Sequence, residues 1–590
     1  MTRPPADTGV GARAEVERQP LGHWLAGETW PAILADLARR HWDARAYRWL
    51  EGPDAAPVDL SFRTLHEQAG LAAHAFAGLG DKPVIASLLP GLPATLPLAF
   101  GAMQAGIYMP INPMLDPDAI AAMLAEARAQ VLLLPEDMPE PTPIRAATPG
   151  LTVLRIGTAS LSAGDLAPLG SGQAPPDPGP EAICAYFHTG GTTGAPKIAM
   201  LRQRNLAFMA WLAGFGGGME AGDVVPCGMP LFHVGGLIFG GLAPLAAGAS
   251  IVQLGAGGFR DPAMRQAFPA IANREGATIL FAPPTIAVDV LDSTEPHPFT
   301  TARHWVSSAA PLPAATHNAF TAHTGLAVKE AWGLTEASLV LTFAPSGAES
   351  RPGSVGPALP YCRLAVVDPG TRVPVGVGES GLILARSPGL FAGYLGAEPS
   401  GLAPGPDGED WLDTGDLGLL DADGWLTITG RAKDIILRAG HNIDPATIEA
   451  AYLAEAGVAA AIAVGKPDAR VGERPVLFLT ATAGAELEPE ALRQRANARI
   501  ADPVARPREV HVLPTLPVTA IGKPDRPALR CRAAQLAVEE VARDAETVEA
   551  LPGPGGTTLI RLVPESARDA AAVRTLGLEL LAATSEASLS

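Results

Sequence analysis

Residues 189–197 read Thr-Gly-Gly-Thr-Thr-Gly-Ala-Pro-Lys and follow a short apolar run, residues 182–188 (AICAYFH), with the composition of a buried strand. A strand that opens into a loop of glycine, threonine and one lysine suits a phosphate. Glycines let backbone N–H groups approach the anion, threonine hydroxyls add donors and the lysine adds charge. Glycine and threonine alone would describe an ordinary loop. The GxxxxGK[ST] loop is the obvious functional rival. It fails because Ala195 and Pro196 separate Gly194 from Lys197, and Ile198 stands where a Ser or Thr is needed for Mg2+.

Upstream, residues 82–89 (KPVIASLL) and 130–134 (QVLLL) are further short apolar runs, and residues 94–105 have the composition of a helix. Residues 24–48 read as a helix-forming opening segment, and the Gly/Pro-rich residues 168–180 as a surface loop. Strands alternating with helices predict an α/β fold built on parallel, doubly wound sheets. From about Leu364 the texture changes to short strands and turns (RLAVVD, GLILAR, GWLTITG), which predicts a β-barrel-like subdomain. After Gly430, strand-like residues 459–464 and 476–480 alternate with helix-like residues 489–500, the pattern of a small α+β domain. The expected divisions are a flexible tail over 1–22, a large N-terminal domain over 23–430, a C-terminal domain over 431–534 and an extension over 535–590. The extension holds a strand-like run at 558–563 and an amphipathic helix candidate over 567–582.

A chain of 590 residues exceeds one hydrophobic core, so at least two domains follow. Its net charge of -18 and pI near 5.1 argue against a nucleic-acid partner, which requires clustered Lys and Arg. The four cysteines have no paired spacing and the first residues carry no signal-peptide run. A reducing, cytoplasmic location is expected. Residues 83–115 and 224–259 contain no Asp, Glu, Lys or Arg. Pro90, Pro93, Pro97 and Pro110 break the first, and Pro226, Pro230 and Pro244 the second, which argues for core elements of an α/β domain over transmembrane spans. Peripheral membrane contact, and a monomeric or homodimeric state, stay open.

Other motifs occur in order around the loop: residues 105–113 (AGIYMPINP), 230–236 (PLFHVGG), 332–336 (WGLTE), 411–416 (WLDTGD), 430–442 (GRAKDIILRAGHN) and 517–523 (PVTAIGK). Together they resemble the signature of the adenylate-forming superfamily, whose members include AMP-forming acyl- and aryl-CoA synthetases. The resemblance covers roughly residues 25 to 530. It implies an acid–thiol ligase using ATP, Mg2+ and coenzyme A. The acid's carboxylate would attack the α-phosphate of ATP, giving an acyl-adenylate and pyrophosphate, and the acyl group would then pass to CoA.

By the same resemblance, Thr189, Gly190, Gly191, Thr192, Thr193, Gly194 and Lys197 would wrap the β- and γ-phosphates. Thr335 would hold the α-phosphate, and Glu336 would bind Mg2+, which takes oxygen ligands. Ala309, Ala310 and Pro311 stand where the family contacts adenine. Trp332, between Ala331 and Gly333, would stack on it; a core aromatic is the alternative. Asp416 would accept both ribose hydroxyls and Arg431 would reach ribose or phosphates. Lys523 would be the catalytic lysine of adenylation. Lys433 would be the hinge about which a mobile C-terminal domain rotates between half-reactions, and Gly440 would line the pantetheine channel. His233 is either a gate to the acyl site or a hydrogen-bonded structural histidine.

Departures from the pattern are Gly190 for Ser, Ile198 for Gly, Ala309 in a glycine-rich slot and Gln203 for His. The apolar stretch after His233 favours an acid with a bulky apolar body. Two rivals remain: an acyl-AMP ligase or adenylation domain that feeds a carrier protein or activates an amino acid, and a non-catalytic nucleotide-binding homologue. Retention of Lys197, Glu336, Asp416, Arg431 and Lys523 weighs against the second.

Overall fold

The structure is a computed structural model. It describes the chain except residues 1–9, 171, 190–196, 293–298, 346–349, 397–400, 440, 483, 519–523, 543–544, 546, 553–557, 564–565 and 582–590, and the side chains of 10–12, 442 and 567. The chain divides into two compact units. The first is built mainly from residues up to Ile428, and the second from Thr429–Ser590 with the strand segment Gly415–Gly418.

Two large sheets form the body of the first unit. The six-stranded sheet runs Thr152–Ile156, Val131–Pro135, Val84–Ser87, Ile107–Pro110, Ile183–Thr189, Lys197–Arg202. Its first five strands pair parallel, and the last pair is antiparallel. The eight-stranded sheet runs Thr342–Phe343, Ala327–Trp332, His304–Ser307, Ile279–Phe281, Val224–Cys227, Ser250–Leu254, Arg45–Leu50, Val58–Ser61. These are the expected doubly wound sheets.

The two charge-free stretches are core, as parallel strands covered on both faces should be. In the first, helix Thr95–Ala105 follows strand Val84–Ser87 and is buried on nearly every side. Gly101 lets this helix approach helix Phe62–Ala77, because an added Cβ would stand 2.5 Å from that of Ala72. In the second, strands Val224–Cys227 and Ser250–Leu254 enclose a fully buried π-helix, Gly235–Leu242. Among the described residues no helix is long and apolar enough to cross a membrane. A curled five-stranded sheet of Arg363–Val367, Gly381–Arg386, Leu402–Pro404, Asp410–Leu420 and Leu426–Arg431 forms the β-barrel-like part.

In the second unit, strands His441–Ile443, Ile436–Arg438, Gly472–Ala481, Val458–Asp468 and Glu509–Val512 make one sheet. One face packs Ile448, Tyr452 and Leu492, and the other packs Leu529 and Ala533 of helix Arg526–Val541. The same helix carries a three-stranded sheet, Thr547–Pro552, Thr558–Val563 and Glu579–Leu580, through Val538, Ile560 and Val573.

Four expectations require correction. The helix expected over 24–48 spans Trp30–His41, and Arg45–Leu50 is a strand. Arg48 there pairs with Asp59 at 2.6 Å and with Glu275 at 2.9 Å, so its charge fits a strand that meets carboxylates on neighbouring elements. The tail expected over 1–22 contains helix Val10–Val16, whose Val16 carbonyl accepts from Trp24 Nε1 at 3.2 Å, while Tyr361 Oη donates to the Gln19 carbonyl at 2.7 Å. The helix expected over 567–582 ends at Thr575, where Gly577 at φ 72° turns the chain into strand Glu579–Leu580. Residue 535 falls inside helix Arg526–Val541, so the extension does not begin as a separate element there.

Candidate active site

In the first unit, strands Ile183–Thr189 and Lys197–Arg202 pair antiparallel with Thr189 opposite Lys197. Thr189 Oγ1 donates to the Lys197 carbonyl at 3.4 Å. Gly190, Gly191, Thr192, Thr193 and Gly194 lie outside the described residues. Lys197 is exposed, and its Nζ stands 4.9 Å from the centre of the Tyr394 ring. Ile198 is buried against the core with its carbonyl accepting from Leu395 N–H at 2.8 Å, which explains an aliphatic residue there. Gln203 is a buried clamp: its Oε1 accepts from Trp30 N–H at 3.0 Å and its Nε2 donates to the Met103 carbonyl at 2.7 Å.

Strand Ala327–Trp332 delivers the second group. Ala331 and Trp332 end that strand, and Trp332 belongs to the buried core of the first unit. Gly333 then passes so close to the next segment that an added Cβ would lie 1.7 Å from the Leu339 carbonyl oxygen. Thr335 and Glu336 open a 3-10 turn, Thr335–Ala337. Glu336 Oε1 accepts from Tyr394 Oη at 2.6 Å, and its backbone carbonyl accepts from Phe391 N–H at 2.9 Å. Burial, then the neighbouring Glu336 carboxylate, raises the Tyr394 pKa well above its ordinary value. Ala309 adopts φ 76°, a left-handed conformation that costs a residue with a Cβ energy, so the alanine occupies backbone suited to glycine. Ala310 and Pro311 follow it in the same loop.

His233 Nδ1 accepts from the Gly235 N–H at 3.1 Å and its carbonyl from Leu237 N–H at 3.0 Å, both at the start of the π-helix. His188, next to Thr189, accepts at Nε2 from Asn112 N–H at 3.1 Å and stacks on Phe232 with centroids 6.2 Å apart. Burial lowers its pKa to about 4, so the ring is neutral at pH 7.

In the second unit, Asp416 is 4% exposed and pairs with Arg431 Nε at 2.8 Å. Lys433 lies in the turn Ala432–Asp434, and burial first, then Arg431, lowers its pKa. Arg530 Nη2 donates to the Lys433 carbonyl at 2.6 Å and to Asp434 at 2.8 Å. Gly440 and Lys523 lie outside the described residues.

Residues 34–395 match the family model described as AMP-binding enzyme, and residues 447–523 match its C-terminal domain. The chain belongs to the AMP-binding enzyme family. Membership makes it an AMP-forming acid–thiol ligase, with ATP, Mg2+ and coenzyme A as cofactors. It is similar to the marinolic acid–CoA ligase of Pseudoalteromonas sp. (strain SANK 73390), with 32% identity over 86% of this chain and 82% of that one. It is also similar to the sulfoacetate–CoA ligase of Cupriavidus necator, with 32% identity over 85% of this chain and 97% of the relative. ATP-bound MatB from Rhodopseudomonas palustris superposes with TM-score 0.75 at 27% identity, over 84% of this chain and 98% of that one.

The described residues of this AMP-binding enzyme fit the groups its family uses. Glu336 is held by a neutral hydroxyl and makes no ion pair with Lys or Arg among the described residues, which leaves an anionic oxygen for a hard cation. Lys197 likewise has an aromatic face, and no carboxylate, as its described neighbour. Sequence reasoning missed Tyr394 and His188. Tyr394 sits in a Gly-rich stretch with no charge or spacing to mark it, and only the tertiary pairing reveals it.

Proposed function

We propose that this ligase activates an acid with a bulky or extended apolar body and passes the acyl group to the thiol of coenzyme A. The observation that carries the reading is the apolar, buried segment after Pro230. Every residue of Gly235–Leu242 is buried, and Phe239 packs against Phe281 at 4.4 Å and Phe343 at 6.1 Å between centroids. Such a segment favours apolar carbon over a second charge. A specific observation favours a second reading. Arg260 lies over the Phe232 ring at 6.0 Å and beside Met114 Sδ at 3.2 Å, with no carboxylate among its described partners. In that reading the acid carries a second anionic group, as the substrate name of the sulfoacetate relative does.

When bound, ATP would supply the adenylyl group that turns a carboxylate oxygen into a leaving group, with pyrophosphate departing from the α-phosphate, and Mg2+ would neutralise phosphate charge. The chain's residues do the rest. Lys197, with Thr189, Gly190, Gly191, Thr192, Thr193 and Gly194, presents positive charge and donors to the phosphates. Glu336 offers the oxygen ligand to Mg2+, and Thr335 adds a hydroxyl for the α-phosphate. Ala309, Ala310, Pro311, Ala331, Trp332 and Gly333 form the adenine side. Asp416, its charge oriented by Arg431, accepts the ribose hydroxyls.

Lys523 brings positive charge to the reacting carboxylate and α-phosphate. Residues 431–534 form a mobile domain that turns at Lys433 to withdraw Lys523, and the side-chain-free Gly440 then lines the pantetheine path. His233 holds the turn into the apolar segment in shape.

The test is a panel of acids supplied with ATP, Mg2+ and CoA, read as thioester formed. Efficiency should rise with the apolar size of the acid. Turnover confined to dicarboxylates or sulfonates would favour the Arg260 reading. Transfer to a holo-carrier protein but never to CoA would overturn the acceptor assignment.

A further inference from the structure

One short segment ties together two groups that the proposed function assigns to different tasks. Residues 392–395 run antiparallel beside strand Lys197–Arg202, with a β-bridge between Tyr394 and Ala199. Ala392 N–H donates to the Met200 carbonyl at 2.8 Å, Met200 N–H to the Gly393 carbonyl at 3.0 Å, and Leu395 N–H to the Ile198 carbonyl at 2.8 Å. Tyr394 is thereby placed with its ring under Lys197 Nζ and its hydroxyl on Glu336 Oε1. The adjacent Phe391 N–H holds the Glu336 backbone from the same segment. Lys197 opens its strand where the phosphate loop ends, and Glu336 stands on a turn after a strand of the other large sheet.

We propose that Tyr394 is the positioning residue that sets the phosphate lysine and the metal-binding carboxylate at a common spacing. The inference rests on the reading of Glu336 as a Mg2+ ligand and Lys197 as a phosphate cation. The chemistry follows from what each partner contributes. A hydroxyl donated to Oε1 fixes the rotation of the carboxylate without neutralising it, so the second oxygen keeps its charge for a cation. An arginine at this position would fix the carboxylate equally well but would compete with the metal. The ring face attracts an ammonium weakly enough to release it to a phosphate, since an exposed cation–π contact is worth less than a charged hydrogen bond. One side chain therefore orders an anion and a cation without pairing them to each other.

The experiment uses the full-length protein and calorimetric titration with ATP at a series of Mg2+ concentrations, without acid or CoA, and with AMP as the control ligand. Tyr394→Phe keeps the ring and removes the hydroxyl. It should raise the Mg2+ concentration that half-restores ATP binding by about three- to tenfold, the range for one lost hydrogen bond, and leave AMP affinity unchanged. Tyr394→Leu should in addition weaken ATP relative to AMP at saturating Mg2+, through the loss of the surface that holds Lys197. Glu336→Gln should shift the Mg2+ dependence in a chain that keeps Tyr394, and adding Tyr394→Phe to it should have little further effect, because the two act as one unit. Thermal midpoints within a few degrees of the parent confirm folded variants. An unchanged Mg2+ midpoint in Tyr394→Phe beside a shifted one in Glu336→Gln overturns the positioning role alone. An unchanged midpoint in both overturns the metal assignment of Glu336 with it. Equal losses of ATP and AMP affinity in Tyr394→Phe would mark the residue as merely structural and overturn the inference.

Discussion

Two carboxylates sit on the two units of this enzyme, and the protein has treated them in opposite ways. Glu336 is anchored by the uncharged hydroxyl of Tyr394 at 2.6 Å, whereas Asp416, 4% exposed, is anchored by the guanidinium of Arg431 at 2.8 Å. A carboxylate fixed by a neutral donor keeps its full charge available to an incoming cation. A buried carboxylate fixed by a cation has its charge compensated in place and suits neutral donors such as sugar hydroxyls. On the roles proposed for Glu336 and Asp416, the partner, more than the carboxylate itself, would distinguish a metal ligand from a hydroxyl acceptor.

The sharpest way to break this comparison is to neutralise each carboxylate in turn. Glu336→Gln should lower acid-dependent pyrophosphate release by about a hundredfold to a thousandfold, the loss typical of a group aimed at charge in the transition state, with a raised Mg2+ requirement. Asp416→Asn should raise KM for ATP by about tenfold to a hundredfold, as for a lost hydrogen bond to a charged group, with the Mg2+ requirement unmoved. Equal shifts of Mg2+ dependence in the two variants would erase the distinction.

A smaller effect separates the two half-reactions in the neighbourhood of Asp416. Lys433→Pro should spare acyl-adenylate formation and lower its conversion to thioester by about tenfold, because proline fixes φ at the proposed hinge. Single-turnover measurement of each step checks this, and equal loss of both would refute the hinge.

The smallest expected effect concerns two buried histidines of the first unit. Burial lowers the pKa of His188 and of His304, whose Nε2 bonds the Gly217 carbonyl, each to about 4. Between an unfolded pKa of about 6.5 and these values the unfolded chain binds more protons, so stability falls as pH drops through that window. Each histidine should contribute on the order of 2 kcal/mol to the difference between denaturant unfolding at pH 7 and at pH 5. Replacing His188 by Gln should reduce the difference.

Legibility in the sequence followed locality. The strands at 183–189 and 131–135 announce themselves as apolar runs, and the motif residues Glu336, Asp416 and Arg431 by the company they keep. Tyr394 was invisible because its role is created by strand pairing between residues about two hundred positions apart in sequence. Docking of residues 10–22 likewise depends on Tyr361, far along the chain, and no apolar run near the N-terminus forecasts it. Residues 45–48 fell inside the helix-forming segment expected over 24–48, yet they belong to a strand between two others, where Arg48 pairs with Asp59 and Glu275. For His233 the sequence offered a gate or a hydrogen-bonded structural histidine, and the structure shows its Nδ1 accepting from Gly235 N–H.

The central claim is that the chain couples ATP cleavage at the α-phosphate to thioester formation. The most direct measurement is the stoichiometry of products from ATP, Mg2+, CoA and an apolar carboxylic acid, with each reactant omitted in turn. The account predicts AMP, pyrophosphate and acyl-CoA in equal amounts, with pyrophosphate release requiring the acid. Formation of ADP and phosphate, or nucleotide cleavage indifferent to the acid, would contradict it.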